Sequence, residues 1–136
     1  MANTLVNEGK YELLKGTIGD ITSGTTIKLA LVKTTSGFSS STTYGDVAAA
    51  SGGTNIITSS IVSLGSKTVT NNVFDAADPT ITGVPSGITV NGYIIYFDNG
   101  SSKKLLGWVD TGTGISFTTN GGNITITFSV SGIFAL

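Results

Sequence analysis

The sequence lacks the residue types on which most site chemistry depends. Its 136 residues include no Cys, no His and no Arg. Without Cys there is neither a disulfide framework nor a thiolate metal site. Without His, general acid–base catalysis loses its commonest carrier, and a serine nucleophile lacks the base that usually takes its proton. We therefore expect a protein that is not an enzyme and that binds no cofactor.

Charge is also scarce. Only 11% of the residues are charged, against roughly 25% in a typical soluble protein. The formal net charge of −1 excludes the basic footprint that nucleic-acid binding requires. Gly (19), Ser (16) and Thr (22) instead fill 57 positions. A weakly charged, hydroxyl-rich surface repels its neighbours little, which favours packing against other protein subunits.

No segment is typical of a membrane span or of export. The start, "MANTLVNEGKYELLKG", has no basic region followed by an apolar one. The longest apolar runs, such as residues 93–97, fall far short of the roughly 20 residues that cross a bilayer. We expect a soluble protein that contacts no membrane.

Two further patterns place reactive side chains close together in the chain. Ser66-Lys67 and Ser102-Lys103 are adjacent pairs, whose side chains would point to opposite faces of a strand instead of meeting as a Ser–Lys dyad. The segment "NNVFDAADPT" holds Asp75 and Asp78, but it lacks the alternating acidic ligands, central Gly and final Glu of a calcium loop. The sequence predicts no metal site.

Residues 1–16 are predicted to form a short helix. Thr4 can cap its start, and Gly16 stands where a left-handed residue would end it. A partial apolar stripe consists of Leu5, Val6, Leu13 and Leu14. Two roles fit this segment, a helix docked on the body of the protein or an arm that reaches a neighbouring subunit.

From residue 25 the apolar period changes to two, which predicts β-structure. In "TTIKLALV", Ile27, Leu29 and Leu31 would share one face of a strand. Residues 33–54 are predicted to form a long loop with a short helix at 44–50. Further strands are predicted at 55–63, 67–70, 80–83, 88–98, 104–110, 115–118 and 124–130. This spacing indicates a mainly β single domain over 1–136, an antiparallel β-sandwich or jelly-roll-like fold with a short N-terminal helix.

The stretch "GYIIYFDNGSSKKLLGWVD" is the best-defined hairpin. Its first strand is apolar on both faces, with residues 93, 95 and 97 facing one way and 94 and 96 the other, so we expect a central strand. Asn99-Gly100 supplies the turn. Trp108 on the return strand fits either a core side chain or a platform for a ligand.

Three stretches together cover most of the chain and carry a resemblance. They are "NEGKYELLKGTIGDITSGTTIKLALV" (7–32), "KTVTNNVFDAADPTITGV" (67–84) and "YIIYFDNGSSKKLLGWVDTGTGISFTTNGGNITITF" (93–128). In this order they resemble small β-rich structural proteins of tailed bacteriophages, of the capsid decoration or cement type. The resemblance implies a virion component present in many copies and implies no catalytic residues, while residues 33–57 match poorly.

We therefore expect a decoration protein that binds the outer surface of a phage head and stabilises the capsid lattice. It would be assembled in the cytoplasm of the bacterial host, associate as a homotrimer and contact the major capsid protein. The alternative is a tail, baseplate or fibre-associated structural or receptor-binding module, which would use Trp108. The residues expected to contact partners are Leu5, Val6, Phe38, Tyr44, Ile133, Phe134 and Leu136. For the last three, a final core strand is the other interpretation.

Overall fold

The computed structural model describes residues 4–23, 26–111 and 114–135. These ranges form two helices, α1 (Asn7–Lys15) and α2 (Tyr44–Gly53), and a 3-10 turn (Thr58–Ser60). The strands are β1 (Thr4–Leu5), β2 (Ile27–Val32), β3 (Val62–Ser63), β4 (Thr68–Thr70), β5 (Val73–Asp75), β6 (Thr80–Ile81), β7 (Thr89–Val90), β8 (Gly92–Asp98), β9 (Lys103–Val109), β10 (Phe117–Thr118), β11 (Ile124–Thr125) and β12 (Phe134–Ala135). The paired strands run antiparallel. The prediction of a mainly β antiparallel fold with a short N-terminal helix is confirmed.

A five-stranded sheet in the order β1-β9-β8-β2-β3 lies at the centre. Its long strands are apolar on both sides, and a core covers each face. The main core lies on the face of Leu29 and Ile95, and a smaller second core lies on the face of Ala30 and Ile94. The predicted facing of residues 27–31 and 93–97 is therefore confirmed. Three smaller sheets, β12-β5-β4, β11-β6 and β10-β7, complete the fold.

The long loop and α2 cover the second core. Thr43 caps the start of α2. Its side chain accepts from the Asp46 N–H, and the Asp46 carboxylate accepts from the Thr43 N–H, which together form a reciprocal capping box. Val47 is fully buried against the sheet. Helical geometry ends at Ala50, since Ala50, Ser51 and Gly52 have non-helical dihedral angles. The predicted helix at 44–50 is confirmed.

A β-bulge divides β9 between the two cores. Ile95 pairs with Gly107, but Tyr96 pairs with Leu105, so Leu106 is an extra residue. Leu106 enters the main core and Leu105 the second core. The Leu105 N–H donates to the Glu8 carboxylate at 2.9 Å.

The N-terminal segment differs from the prediction at its start. Leu5 pairs with Gly107 in β1, so α1 begins only after Val6, and the predicted Thr4 cap is wrong. Because Leu5 lies in this strand, it does not join the apolar stripe predicted for the helix. Gly16 ends α1 with φ 81°, as predicted.

The predicted strand at 55–63 forms only in part, because Ile56 bridges Val32 and β3 pairs with β2 while the residues between them leave the sheet. The Ser60 hydroxyl donates to the Ile57 carbonyl and accepts from the Leu31 N–H, which interrupts the pairing with β2 at the 3-10 turn. The predicted strand 88–98 is interrupted at Asn91, which bonds to Val32 and Lys33. Strand β5 was not predicted. No helix among the described residues is long and apolar enough to cross a membrane.

Candidate interaction surface

Residues 79–90 and 117–128 form one long, irregular antiparallel ladder. At one end β6 pairs with β11, and at the other β7 pairs with β10. The Ile126 N–H extends the first pairing by donating to the Pro79 carbonyl at 3.1 Å. The two segments are distant in the sequence, so this part of the molecule depends on long-range pairing.

Thr119 ties the middle of the ladder together. It is only 5% exposed, and its hydroxyl accepts from the Ile88 N–H at 2.9 Å and donates to the Pro85 carbonyl at 2.6 Å. Its backbone bonds to Ile88 and Gly87. A buried hydroxyl with both roles satisfied fixes the register where regular pairing is absent.

The ladder has an apolar inner side and a threonine-rich outer side. Ile81, Val90 and Ile126 point into the main core. Strand alternation therefore places the residues beside them outward. The exposed threonines are Thr80, Thr82, Thr89, Thr118, Thr125 and Thr127, and we call them the threonine face.

Cross-strand partners align within the threonine face. Thr80 lies opposite Thr125 and Thr89 lies opposite Thr118. The hydroxyls of Thr80 and Thr125 are 3.4 Å apart. Beside them a groove of about 240 Å³ lies between β10 and β11, with Phe117 and Asn123 in its lining.

No charged residue occurs in the sequence between Asp78 and Asp98 or after Asp110. The threonine face therefore offers only methyl, hydroxyl and amide groups. Asp78 accepts from the Phe128 N–H and Asp110 from the Thr35 hydroxyl, each at 2.8 Å. Both flanking carboxylates are thus engaged in holding the fold together.

Charge gathers instead at the far end of β8. Asp98 accepts from the Gly100 N–H at 2.9 Å and from Lys28 at 3.0 Å, with Lys103 at 4.0 Å. The Gly100 hydrogen bond and then the nearby ammonium groups hold the pKa of Asp98 below its usual value, against the effect of burial. Asp98, Lys28 and Lys103 therefore form a charged cluster at this end of β8.

A neutral face of this kind is suited to contact with another protein. Charged residues are depleted at the centre of interfaces because a charge without a partner is costly to remove from water. Hydroxyl groups cost less to desolvate, and threonine methyl groups add apolar area. Among the residues that the structure describes, no three or more acidic side chains lie close enough to hold a metal ion.

The sequence-predicted contact residues at the chain ends lie within the protein's own core. Leu5 and Val6 are buried, at 6% and 0% exposure. Ile133 and Phe134 also belong to the main core, and Phe134 pairs with Phe74 in the β12-β5-β4 sheet. The structure thus places Ile133 and Phe134 as the final core strand. Leu136 lies outside the described residues.

Phe38 and Tyr44, the contact residues predicted in the long loop, are half-buried over the second core. Phe38 meets Trp108 edge to face, with ring centroids 5.7 Å apart. Tyr44 lies 4.9 Å from the ring of Tyr96. Trp108 is therefore packed as part of the second core, and the loop aromatics act as its cover.

Residue-level sequence reasoning missed the threonine face. Its signal was present in "TIT" at 80–82 and "TITF" at 125–128, where threonines alternate with buried residues. Which of the two alternating sets faces outward depends on the core, which the local sequence does not reveal. Comparisons with protein-family models, with curated proteins and with solved structures found no match.

Proposed function

We propose that this protein is a structural component of a tailed-bacteriophage virion, specifically a capsid decoration protein. It binds the outer surface of the head, contacts the major capsid protein and stabilises the lattice without catalysis or a cofactor. Its sheets are arranged as a sandwich or jelly-roll-like domain. The observation that carries the proposal is the threonine face, an uncharged surface on an otherwise well-cored fold.

The mechanism is binding linkage. A protein that binds only the assembled lattice stabilises it at each site by RT ln(1 + [L]/Kd), and the effect adds over many sites. A closed trimer lets one decoration unit contact several capsid subunits. The neutral face supports such dense packing because neighbouring copies do not repel one another through charge.

A tail, baseplate or fibre-associated module is the alternative, with a bacterial surface glycan as its ligand. It would rely on Trp108, whose ring is half-buried and partly covered by Phe38. Aromatic stacking requires an open ring face. The packing of Trp108 therefore favours the decoration protein over this alternative.

The decisive experiment is immunogold electron microscopy of intact virus particles with antiserum to this protein. Gold distributed over the head is the expected result. Gold restricted to the tail would replace the proposal with the alternative. Particles that lack the chain altogether, by both labelling and mass spectrometry, would overturn both.

A further inference from the structure

The chain contains three Asn–Gly pairs, which differ in burial and in the hydrogen bonding of the Gly N–H. They are Asn91-Gly92, Asn99-Gly100 and Asn120-Gly121. An Asn side chain followed by Gly is prone to spontaneous deamidation, because Gly has no Cβ to hinder attack by its own backbone nitrogen. The attack requires a free N–H on the Gly and room for the backbone to adjust.

Two of the pairs are protected. Gly92 is buried in β8, and a Cβ there would come within 2.6 Å of the Val109 carbonyl oxygen, so the backbone has no room to adjust. Gly100 donates its N–H to the Asp98 carboxylate at 2.9 Å, which holds the nucleophile away from Asn99. A hydrogen bond to a charged acceptor that must first be broken slows the reaction by about tenfold or more.

The third pair has neither protection. Asn120 and Gly121 are both exposed in the connection between β10 and β11. The Gly121 N–H has no acceptor among the described residues. The Asn120 side-chain oxygen accepts from the Gly122 N–H at 2.8 Å. The Asn99 side-chain oxygen likewise accepts from the Ser101 and Ser102 N–H groups, at 3.2 and 2.7 Å. Both carbonyls are therefore polarised, and the two sites differ in the hydrogen bonding of the following Gly N–H.

We propose that Asn120 is the deamidation site of this protein. The Gly121 nitrogen loses its proton to hydroxide and bonds to the Asn120 side-chain carbonyl carbon. The side-chain nitrogen takes a proton from water, its bond to that carbon breaks, and it departs as ammonia; the product is a cyclic imide, and hydroxide is regenerated. Water then opens the ring at either carbonyl, which yields aspartate or isoaspartate.

The modification introduces a charge beside the threonine face, since Asn120 lines the same groove as Thr118 and Thr125. No charged residue occurs at 79–97 or after Asp110, so a carboxylate at position 120 is the first charge there. Position 120 lies between β10 and β11, the two strands that carry Thr118 and Thr125 of the threonine face. We expect the aged protein to separate as a more acidic species, and this expectation does not depend on the proposed function.

The test follows all three asparagines in the purified full-length protein. The protein is incubated at mildly alkaline pH and physiological temperature, and peptide mass spectrometry measures each conversion over time. Asn120 is expected to convert at least about tenfold faster than Asn99 or Asn91. Conversion of Asn99 or Asn91 at an equal or higher rate, or an unchanged Asn120, overturns the proposal.

Two variants test the cause. Asn120→Ser should abolish the acidic species on ion-exchange chromatography, whereas the matched variant Asn99→Ser should leave it in place. Asp98→Ala releases the Gly100 N–H, so Asn99 should convert faster relative to Asn120 in the same protein. An Asn99 rate that does not change would show that the hydrogen bond to Asp98 gives no protection.

Discussion

The Tyr96 hydroxyl is buried without a hydrogen-bond partner among the described residues. Tyr96 itself is 0% exposed in the second core. An unsatisfied buried polar group lowers stability, so Tyr96→Phe should raise the free energy of unfolding by about 1 kcal/mol. Urea denaturation measures this change, and Tyr96→Leu is the control that removes the ring and should destabilise. A destabilised Tyr96→Phe protein would show that the hydroxyl has a partner.

Tyr93 makes stability depend on alkaline pH. Burial, and then the charge of Asp78, raises the pKa of Tyr93 from 10.0 to about 12. Because the folded-state pKa of Tyr93 is raised, the stability that depends on its neutral hydroxyl is fully present below pH 10. That stability is lost as pH rises towards 12. The loss is about 2 to 3 kcal/mol.

The measurement for Tyr93 is the urea midpoint as a function of pH. Burial also raises the pKa of Tyr96, so the wild-type curve falls steeply above pH 10. Tyr93→Phe should flatten part of this fall and leave stability at neutral pH within about 1 kcal/mol. Parallel curves for the two proteins would contradict the assignment to Tyr93.

At the level of elements, Glu8 joins three parts of the fold. One carboxylate oxygen accepts from the N–H groups of Tyr44 and Leu105, each at 2.9 Å, and the other lies 3.7 Å from Lys104. From its position in α1, Glu8 thereby accepts hydrogen bonds from backbone N–H groups at the start of α2 and at the bulge in β9. Glu8→Ala leaves both N–H groups without an acceptor and should cost about 2 to 4 kcal/mol.

The matched variant is Glu8→Gln, whose single amide oxygen can still accept both bonds. It should cost about 1 kcal/mol, mainly through the lost interaction with Lys104. Chemical denaturation of both variants measures the difference. Equal losses would mean that the negative charge matters more than the two hydrogen bonds.

Two helical glycines provide a second matched pair. A Cβ on Gly9 of α1 would come within 2.8 Å of the Leu106 Cα, whereas the nearest atom to a Cβ on Gly45 of α2 is 3.6 Å away. Gly45→Ala should stabilise by about 0.5 to 1 kcal/mol through helix propensity. Gly9→Ala should instead destabilise by about 1 to 3 kcal/mol, because α1 must move off the sheet.

Thermal unfolding of both alanine variants tests this account of helix packing. A stabilised Gly9→Ala protein would show that α1 does not pack closely on β9. The close approach also explains why a glycine stands in the first half of a short helix. The helix contacts the backbone of the bulge directly at that position.

The elements that local patterns predicted well are those with a long apolar or alternating run and those marked by a turn residue. Strands β2, β8 and β9 and the stop at Gly16 follow from spacing and from the conformational freedom of glycine. The start of α1 was missed because Leu5 pairs with Gly107, a partner about 100 residues away that the local sequence does not reveal. Strand β5 was missed because its three residues become a strand only between β4 and β12.

Over the whole molecule, composition anticipated a neutral surface but not its position. The sequence contains 22 threonines, and local spacing predicts only which side of its own strand a threonine occupies. Thr80 and Thr125 become neighbours through a pairing between residues 45 positions apart. The contact residues predicted from their apolar character include Leu5, Val6, Ile133 and Phe134, which are buried in the cores.

The threonine face leads to the prediction that concerns the molecule as a whole. Thr125→Lys places an ammonium on the threonine face, where binding to a partner would remove it from water. We expect this variant to bind phage heads at least about tenfold more weakly, which corresponds to about 1.4 kcal/mol. Thr17→Lys is the matched control, because Thr17 is exposed in the loop after α1.

Binding is measured by titrating each full-length variant onto heads that lack the protein and quantifying what sediments with them. Both variants should unfold at the same urea concentration as the wild type, since both positions are exposed. If Thr125→Lys and Thr17→Lys bind equally well, the threonine face is not the contact surface. Equal weakening of both would indicate a general effect of charge, because a lysine on any side of the protein would then oppose binding.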